Sequence, residues 1–300
     1  MNPTKGGLAG IALLVGCNLI WSTNFIVGRL LRNSVDPFSL TALRWIIGCA
    51  IYPLMFGPKV LKRLKISAKP FTLGVLGITL FSFTLYTALS IEPATLVGLL
   101  YGLTPVVILV TGWVVRLEKL QTLQLIGSAV SVIGVMIFLN GGLSGIHGLT
   151  PLGLLTALGP PVIWGIYTVA QRRLTNEREQ AEFTYSSMVL SLPVTAIVAL
   201  PYLIPHLAAG FPLHSWMLML WLGLGPSALA YYMWNKGVSI VGAYTAGPFS
   251  NLLPPATAIF GFLLLGETIT ITEAVGGVLI VAGSLAASVA HVKNIRGAEQ

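Results

Sequence analysis

Residues 8–28, 93–115 and 243–265 each run without one charged side chain. A stretch of about 20 apolar residues is what a helix needs to cross a bilayer core. Backbone in hydrocarbon survives only with its N–H and C=O groups paired internally, which leaves helices and closed barrels. These runs are continuously apolar and lack the two-residue alternation of barrel strands, so they predict helices. The pattern extends over the whole chain: charged residues are 9% of it, against roughly 25% in soluble proteins. Mean hydropathy is +0.86. The sequence predicts an all-α membrane protein of ten transmembrane helices, near 8–31, 37–57, 70–89, 93–115, 122–140, 151–174, 181–201, 214–236, 243–265 and 271–290. The connections are too short for a soluble domain.

A net charge of +8 would suggest nucleic acid for a soluble chain, but here the basic residues sit between spans and report topology instead. Placing the N-terminus inside puts Lys59, Lys62, Arg63, Lys65, Lys69, Arg116, Lys119, Arg172, Arg173 and Lys236 on the cytoplasmic side, leaving Arg29 and Arg32 outside. By the positive-inside bias both termini are expected in the cytoplasm, in a bacterial inner membrane. The first apolar run is too long for a signal peptide and is expected to remain as the first span. Cys17 and Cys49 lie within spans without metal-ligand spacing and read as small buried hydrophobes.

The chain also repeats itself. Shifted by 149 positions, Ser90, Gly98, Pro105, Gly112, Glu118, Gly127 and Gly134 fall on Ser239, Gly247, Pro254, Gly261, Glu267, Gly276 and Gly283. Shifted by 143, Gly16, Trp21, Arg29 and Asn33 fall on Gly159, Trp164, Arg172 and Asn176. Two copies of five spans follow, residues 1–145 and 146–300. Because five is odd, the second copy enters the membrane inverted, an arrangement that places a binding site between the copies near the midplane. Pro105 and Pro254, each ahead of an apolar run, are expected to break their helices and to act as hinges.

The segments "WSTNF" (21–25), "LTALRW" (40–45), "RLEKLQTLQLIGSAVSVIGV" and "LGETITITEAVGGVLIVAG" resemble EamA-type members of the drug/metabolite transporter superfamily, nearest its YddG-type aromatic amino acid exporters. The resemblance covers nearly the whole chain. It implies ten helices in a 5+5 inverted repeat, export of amino acids or related metabolites, and a central cavity lined mainly by helices 3, 4, 8 and 9, with helices 1 and 6 contributing.

Read without the family, polar and aromatic residues inside spans make the candidate site, since lipid-facing positions have no use for them. The substrate-binding candidates are Trp21, Asn24, Phe83, Tyr86, Thr95, Tyr101, Trp164, Tyr167, Tyr231, Tyr232, Tyr244 and Asn251. This set suits a zwitterion with an apolar side chain: aromatic walls bury the side chain, while hydroxyls, amides and carbonyls freed near Pro105 and Pro254 bond the ammonium. Arg44 is a charge within a span, read as a gating or structural group that ties down a neighbouring helix. Glu118 and Glu267 lie at helix junctions, where structural capping is the simpler role. No intramembrane Asp, Glu or His marks a proton path, which favours gradient-driven movement over obligatory proton exchange.

An enzyme would need clustered carboxylates, a metal set or a nucleophile with its base, and the sequence offers none. It also lacks a G-x-x-x-x-G-K-[ST] phosphate loop for ATP. A channel or scaffold reading would rest on "GLLYG" (98–102) as a helix contact. The expectation is a secondary exporter of aromatic and other apolar amino acids, able to act as a monomer in the bilayer, with no cofactor and no nucleic-acid partner. Export of drugs or toxic cationic metabolites is the alternative.

Overall fold

The computed structural model describes residues 3–31, 34–91, 97, 100–117, 119–140, 151–175, 177–265 and 269–298. Among these residues the chain is helical and contains no strand. Helix α1 spans Pro3–Leu31 and α2 spans Pro37–Phe56. Helix α3 runs Ala68–Gly74, widens into a π turn over Val75–Leu80 and resumes over Phe81–Ile91. Then follow α4 (Thr104–Val114), α5 (Thr122–Asn140), α6 (Pro151–Leu174) and α7 (Gln180–Ala209). Helix α8 is built as Leu213–Leu222, a π turn over Gly223–Leu229, and Ala230–Val241. Helix α9 combines Ala243–Ala246, a 3-10 stretch over Gly247–Leu252, and Leu253–Leu265; α10 is Ile271–Ala298. This succession is consistent with the ten predicted spans. Five stretches, Gly7–Gly28, Pro37–Phe56, Ala68–Ala88, Pro151–Leu174 and Gln180–Ala208, are long and apolar enough to cross a membrane; Thr104–Val114, Thr122–Phe138 and Ala274–Ala287 are shorter.

The surface is apolar and the interior carries the polar groups. Leu54, Trp113, Leu155, Ile197, Leu213 and Val278 are exposed, while Asn18, Arg44, Thr79, Ser131, Thr168, Thr195, Asn235 and Asn251 are buried. In lipid, apolar burial does not drive helices together, so close packing and interhelical hydrogen bonds must do so. Thr79 and Thr195, 2.7 Å apart, join α3 to α7 in this way.

The repeat is visible in the packing of α5 against α10. A Cβ on Gly127 would lie 2.6 Å from the Gly283 carbonyl oxygen, and one on Gly134 would lie 2.9 Å from that of Gly276. Residues 127 and 134 therefore meet 283 and 276 in reverse order, so these helices are antiparallel. Replacing each glycine by its repeat mate turns the 127–283 contact into the 276–134 contact, the reciprocal pattern of a two-fold relation. Further contacts cross between copies. Gly10 and Leu14 of α1 pack on Val241 and Gly237 of α8, while Gly159 and Gly165 of α6 pack on Thr84 of α3 and Val107 of α4. The first helix of each copy is thus embraced by the other copy.

Basic segments gather at one end of the bundle. Arg63 pairs with Glu182 at 3.3 Å, and Lys65 with Glu179 at 2.6 Å. The Nη1 atoms of Arg173 and Arg172 donate to the carbonyls of Val115 and Ser239. The α1 residue Gly10 lies at this end too, beside Val241. At the far end Asp36 caps α2, its Oδ1 accepting from the backbone N–H groups of Phe38 (2.9 Å) and Ser39 (3.0 Å), with Pro37 opening the first turn. Asp36→Ala is expected to cost about 1 kcal/mol, the usual worth of such a cap. A thermal melt in detergent would read this as a lower midpoint; an unchanged midpoint would mean that the helix start needs no side-chain cap.

Both prolines stand at interruptions of their helices. Neither Pro105 nor Pro254 kinks a continuous helix; each lies in the first turn of a helical segment, directly after a break. Proline is tolerated there because its missing N–H would have had no intrahelical partner. The breaks fall at Gly102–Leu103 and along Gly247–Leu252.

Candidate functional site

Trp21 and Trp164, matched between the copies, meet each other edge to face, 5.2 Å between ring centroids at 83°. Tyr231 of α8 stands edge-on to both, at 5.7 Å and 5.3 Å. Trp234 lies 5.7 Å from each indole, and Tyr167 stacks on Trp164 at 5.1 Å. Phe81 of α3 and Trp45 of α2 close the sides, against Trp164 and Tyr231 respectively. All but Phe81 are buried. Such ring pairs contribute about 0.5–1.5 kcal/mol each beyond burial of their area. Helical periodicity brings the members of one helix to a common face, and the crossing of the copies brings those faces together.

The two indole N–H groups differ. Trp21 Nε1 donates to the Pro226 carbonyl at 2.9 Å, whereas the buried Trp164 Nε1 has no partner among the described residues. Pro226 and Gly77 correspond at the 149 offset, and both lie in π turns. The Gly77 carbonyl accepts instead from the Tyr231 hydroxyl, at 2.6 Å. Equivalent acceptors in the two copies therefore hold different donors, and one buried N–H is left unsatisfied among the described residues.

Two Asn–Tyr pairs flank the rings, and they too are repeat mates. In the first copy the Tyr86 hydroxyl donates to Asn24 Oδ1 at 3.1 Å. In the second, Asn235 Nδ2 donates to the Tyr167 hydroxyl at 2.9 Å. Asn24 corresponds to Tyr167 at the 143 offset and Tyr86 to Asn235 at 149, so the residue types are exchanged. The second pair is joined to α7 by Thr184, which accepts from Asn235 Nδ2 at 2.9 Å. The first is joined to α2 by Arg44. Its Nη1 donates to Tyr86 Oη at 2.5 Å and Asn24 Oδ1 at 3.2 Å, and its Nε donates to Ser227 Oγ at 2.8 Å. Cζ lies 5.4 Å from the Trp45 ring centroid. Arg44 is 4% exposed, and among the described residues no carboxylate stands within ion-pair distance of it. Burying an ion away from water costs several kcal/mol even after relaxation.

The freed carbonyls of the broken helices are largely occupied. Asn251 Nδ2 donates to the Gly102 carbonyl at 3.2 Å and to Ser131 Oγ at 3.1 Å. Ser131 and Ser284 both donate to the Pro248 carbonyl. Asn251 thus ties the break in α9 to that before α4. A cavity of about 680 Å³ opens at the basic end, lined by Trp113, Val114, Arg116, Leu117, Lys119, Leu120 and Tyr244. Leu117 N donates to the Gly112 carbonyl, which ends α4 with Arg116 at φ 50°, a left-handed position usually given to glycine.

Of the candidates read from sequence, Trp21, Trp164, Tyr167 and Tyr231 form the ring cluster, and Asn24 and Tyr86 surround Arg44. Tyr101 is near its edge, 6.3 Å from Phe81. Tyr244 lines the cavity at the basic end. Tyr232 packs on Phe56 and Phe83 on Phe38, both outside the cluster. Thr95, Glu118 and Glu267 lie outside the described residues. Trp45, Phe81 and Ser227 were not among the candidates. Trp45 directly follows Arg44, a signal that could have found it; Ser227 has none, since its role depends on a partner 183 residues away.

The description "EamA-like transporter family" matches residues 8–140 and 151–289, one match for each copy. The chain is similar to the "Aromatic amino acid exporter YddG" of Ancylobacter novellus, 28% identical over 258 residues, covering 81% of this chain and 87% of that one. It is 27% identical over 292 residues to the "Probable amino-acid metabolite efflux pump" of Salmonella typhimurium, covering 91% and 92%. A solved crystal structure superposes with a TM-score of 0.78 at 25% identity, covering 97% of this chain and 98% of that one.

Proposed function

The chain belongs to the EamA-like transporter family, and on that premise we propose that it exports amino acids, aromatic and other apolar ones foremost, by alternating access between its two five-helix copies, residues 1–145 and 146–300. The observation that carries the reading is the ring cluster. Its members come from α1, α6 and α8, so both copies contribute to it and it lies at the contact between them. An apolar side chain entering between the copies replaces ring-to-ring contacts with equivalent contacts to itself. A pocket of this kind discriminates weakly among apolar side chains, since one methylene is worth about 1–3 kcal/mol, and broad specificity follows. Relatives named as exporters of aromatic amino acids and of amino-acid metabolites support the substrate class.

The positive-inside bias orients the basic end, with both termini, toward the cytoplasm of a bacterial inner membrane. The 680 Å³ cavity then faces the compartment from which an exporter loads. Export of cationic compounds is disfavoured by Arg44, the buried charge among the described residues.

Proteoliposomes of the purified protein are expected to take up labelled phenylalanine, tryptophan and leucine saturably, and lysine poorly. No saturable uptake of any apolar amino acid would end this reading, while a response to an imposed pH gradient would identify proton coupling. The breaks before Pro105 and Pro254 are the proposed hinges, with proline fixing the start of each moving half. Pro105→Ala and Pro254→Ala are expected to lower turnover several-fold with substrate affinity within about twofold. Equal loss of both would reassign the prolines to the site or to folding.

A further inference from the structure

We propose that Arg44 binds the carboxylate of the transported molecule; the proposal rests on the export reading and names the chemical group that the site selects. The two copies contain their own control. Each builds an Asn–Tyr pair between its first and third helices, and each ties that pair to its second helix. In the second copy a threonine hydroxyl, Thr184, suffices. The fold therefore does not need a guanidinium at this place, and a neutral group would avoid burying a charge. The first copy nevertheless holds one, without a carboxylate beside it among the described residues.

The guanidinium is only partly used. Of its five N–H donors, Nε–H and the two on Nη1 are engaged by Ser227, Asn24 and Tyr86. Nη2 makes no hydrogen bond among the described residues, which leaves its two N–H groups to donate to a ligand oxygen as charge-assisted hydrogen bonds. The acceptors already present are neutral, so they orient the group without neutralising it. Orientation before binding reduces the entropy that the ligand must lose.

The position is contiguous with the ring cluster. Asn24 lies one helical turn beyond Trp21 on α1, and Trp45 bridges the guanidinium to Tyr231. Ser227 follows Pro226, whose carbonyl holds the Trp21 indole. A molecule with its carboxylate on Arg44 thus projects an aliphatic or aromatic side chain toward Trp21 and Tyr231. Recognition by charge excludes amines that lack the carboxylate, since the same guanidinium repels them.

The test compares binding of L-phenylalanine, L-phenylalaninamide and phenylacetate to the full-length protein in nanodiscs, followed by tryptophan fluorescence and by isothermal calorimetry. The wild-type protein is expected to bind phenylalanine at least tenfold more tightly than its amide. In Arg44→Gln that ratio should fall to near one, and Arg44→Lys should restore part of it. A role confined to holding helices together would weaken both ligands alike, and an unchanged ratio in Arg44→Gln overturns the proposal. Should Arg44→Gln fail to fold, the wild-type ratio and Arg44→Lys decide: a wild-type ratio near one refutes the carboxylate site without any variant. Binding of phenylacetate but not phenylalanine would uphold Arg44 as the carboxylate site and refute the amino acid reading. Absence of binding by every carboxylate would refute the site.

Discussion

Gly276→Ala is expected to lower the stability of the protein by about 2 kcal/mol or more, and Gly277→Ala, one residue along the same helix, to raise it slightly. A Cβ at 276 would stand 2.4 Å from the backbone nitrogen of Phe138 and 2.6 Å from its Cα. Backbone cannot rotate away as a side chain tip can, so α5 and α10 must separate along their contact. Overpacking of this kind costs about 1–3 kcal/mol and sometimes more, and the helix contact is held by packing rather than by expulsion of water. At 277 the nearest heavy atom is Pro255 Cβ at 3.5 Å, an ordinary contact. There the gain in helix propensity, about 1 kcal/mol for Gly to Ala, acts unopposed. Thermal melts of the two variants in one detergent should move in opposite directions. Melts that move together would mean that α5 and α10 are not in backbone contact in the folded protein. Gly127→Ala, whose Cβ would lie 2.6 Å from the Gly283 carbonyl, should repeat the loss seen at 276.

Trp164→Ala should abolish saturable transport and destabilise the protein by about 3–5 kcal/mol, the range for deleting a buried indole. The residue is 1% exposed and touches the rings of Trp21, Phe81, Tyr167, Tyr231 and Trp234. Phenylalanine substitutions separate packing from hydrogen bonding. Trp164→Phe removes an indole N–H that has no partner among the described residues, which relieves a buried unsatisfied donor and offsets part of the lost ring area. Trp21→Phe removes the donor to the Pro226 carbonyl and leaves that oxygen without it. The second change should therefore cost about 1 kcal/mol more than the first, although the two positions are repeat mates. Melting curves give this difference, and counterflow of labelled phenylalanine gives the functional one. Equal costs would show that the two indoles are equivalent in the membrane and that their asymmetry does not persist there.

Much of this architecture could be read from the chain alone. Uninterrupted apolar runs leave helices as the only structure with satisfied backbone, and their order announced the bundle. The copies were legible because Gly127, Gly134, Gly276 and Gly283 recur at one offset, and the contact between α5 and α10 uses those four. Trp21 and Trp164 were identifiable because large aromatics deep within a span, away from the interfacial belt, are in the protein interior. Thr95, Glu118 and Glu267 gain nothing from the described residues.

Other features had no local signature. The π turns in α3 and α8 were not anticipated, because a widened turn reflects how neighbouring helices compete for its carbonyls: Gly77 gives its oxygen to Tyr231, and Pro226 to Trp21. Phe83 and Tyr232 have the same composition and depth as their clustered neighbours, yet they point elsewhere, to Phe38 and Phe56. Arg44 is the sharpest case. As an isolated residue it reads as a charge that can snorkel or clamp, and its neighbours are Asn24, Tyr86 and Ser227, the last from the other copy. Periodicity states which residues of one helix share a face; it does not state which face of which helix comes opposite. The sequence by itself determined the helices, their repetition and the inventory of polar groups that lipid cannot accept. The crossing of α1 and α6 into the opposite copies, decided by interhelical packing across more than a hundred residues, determined which of those groups meet.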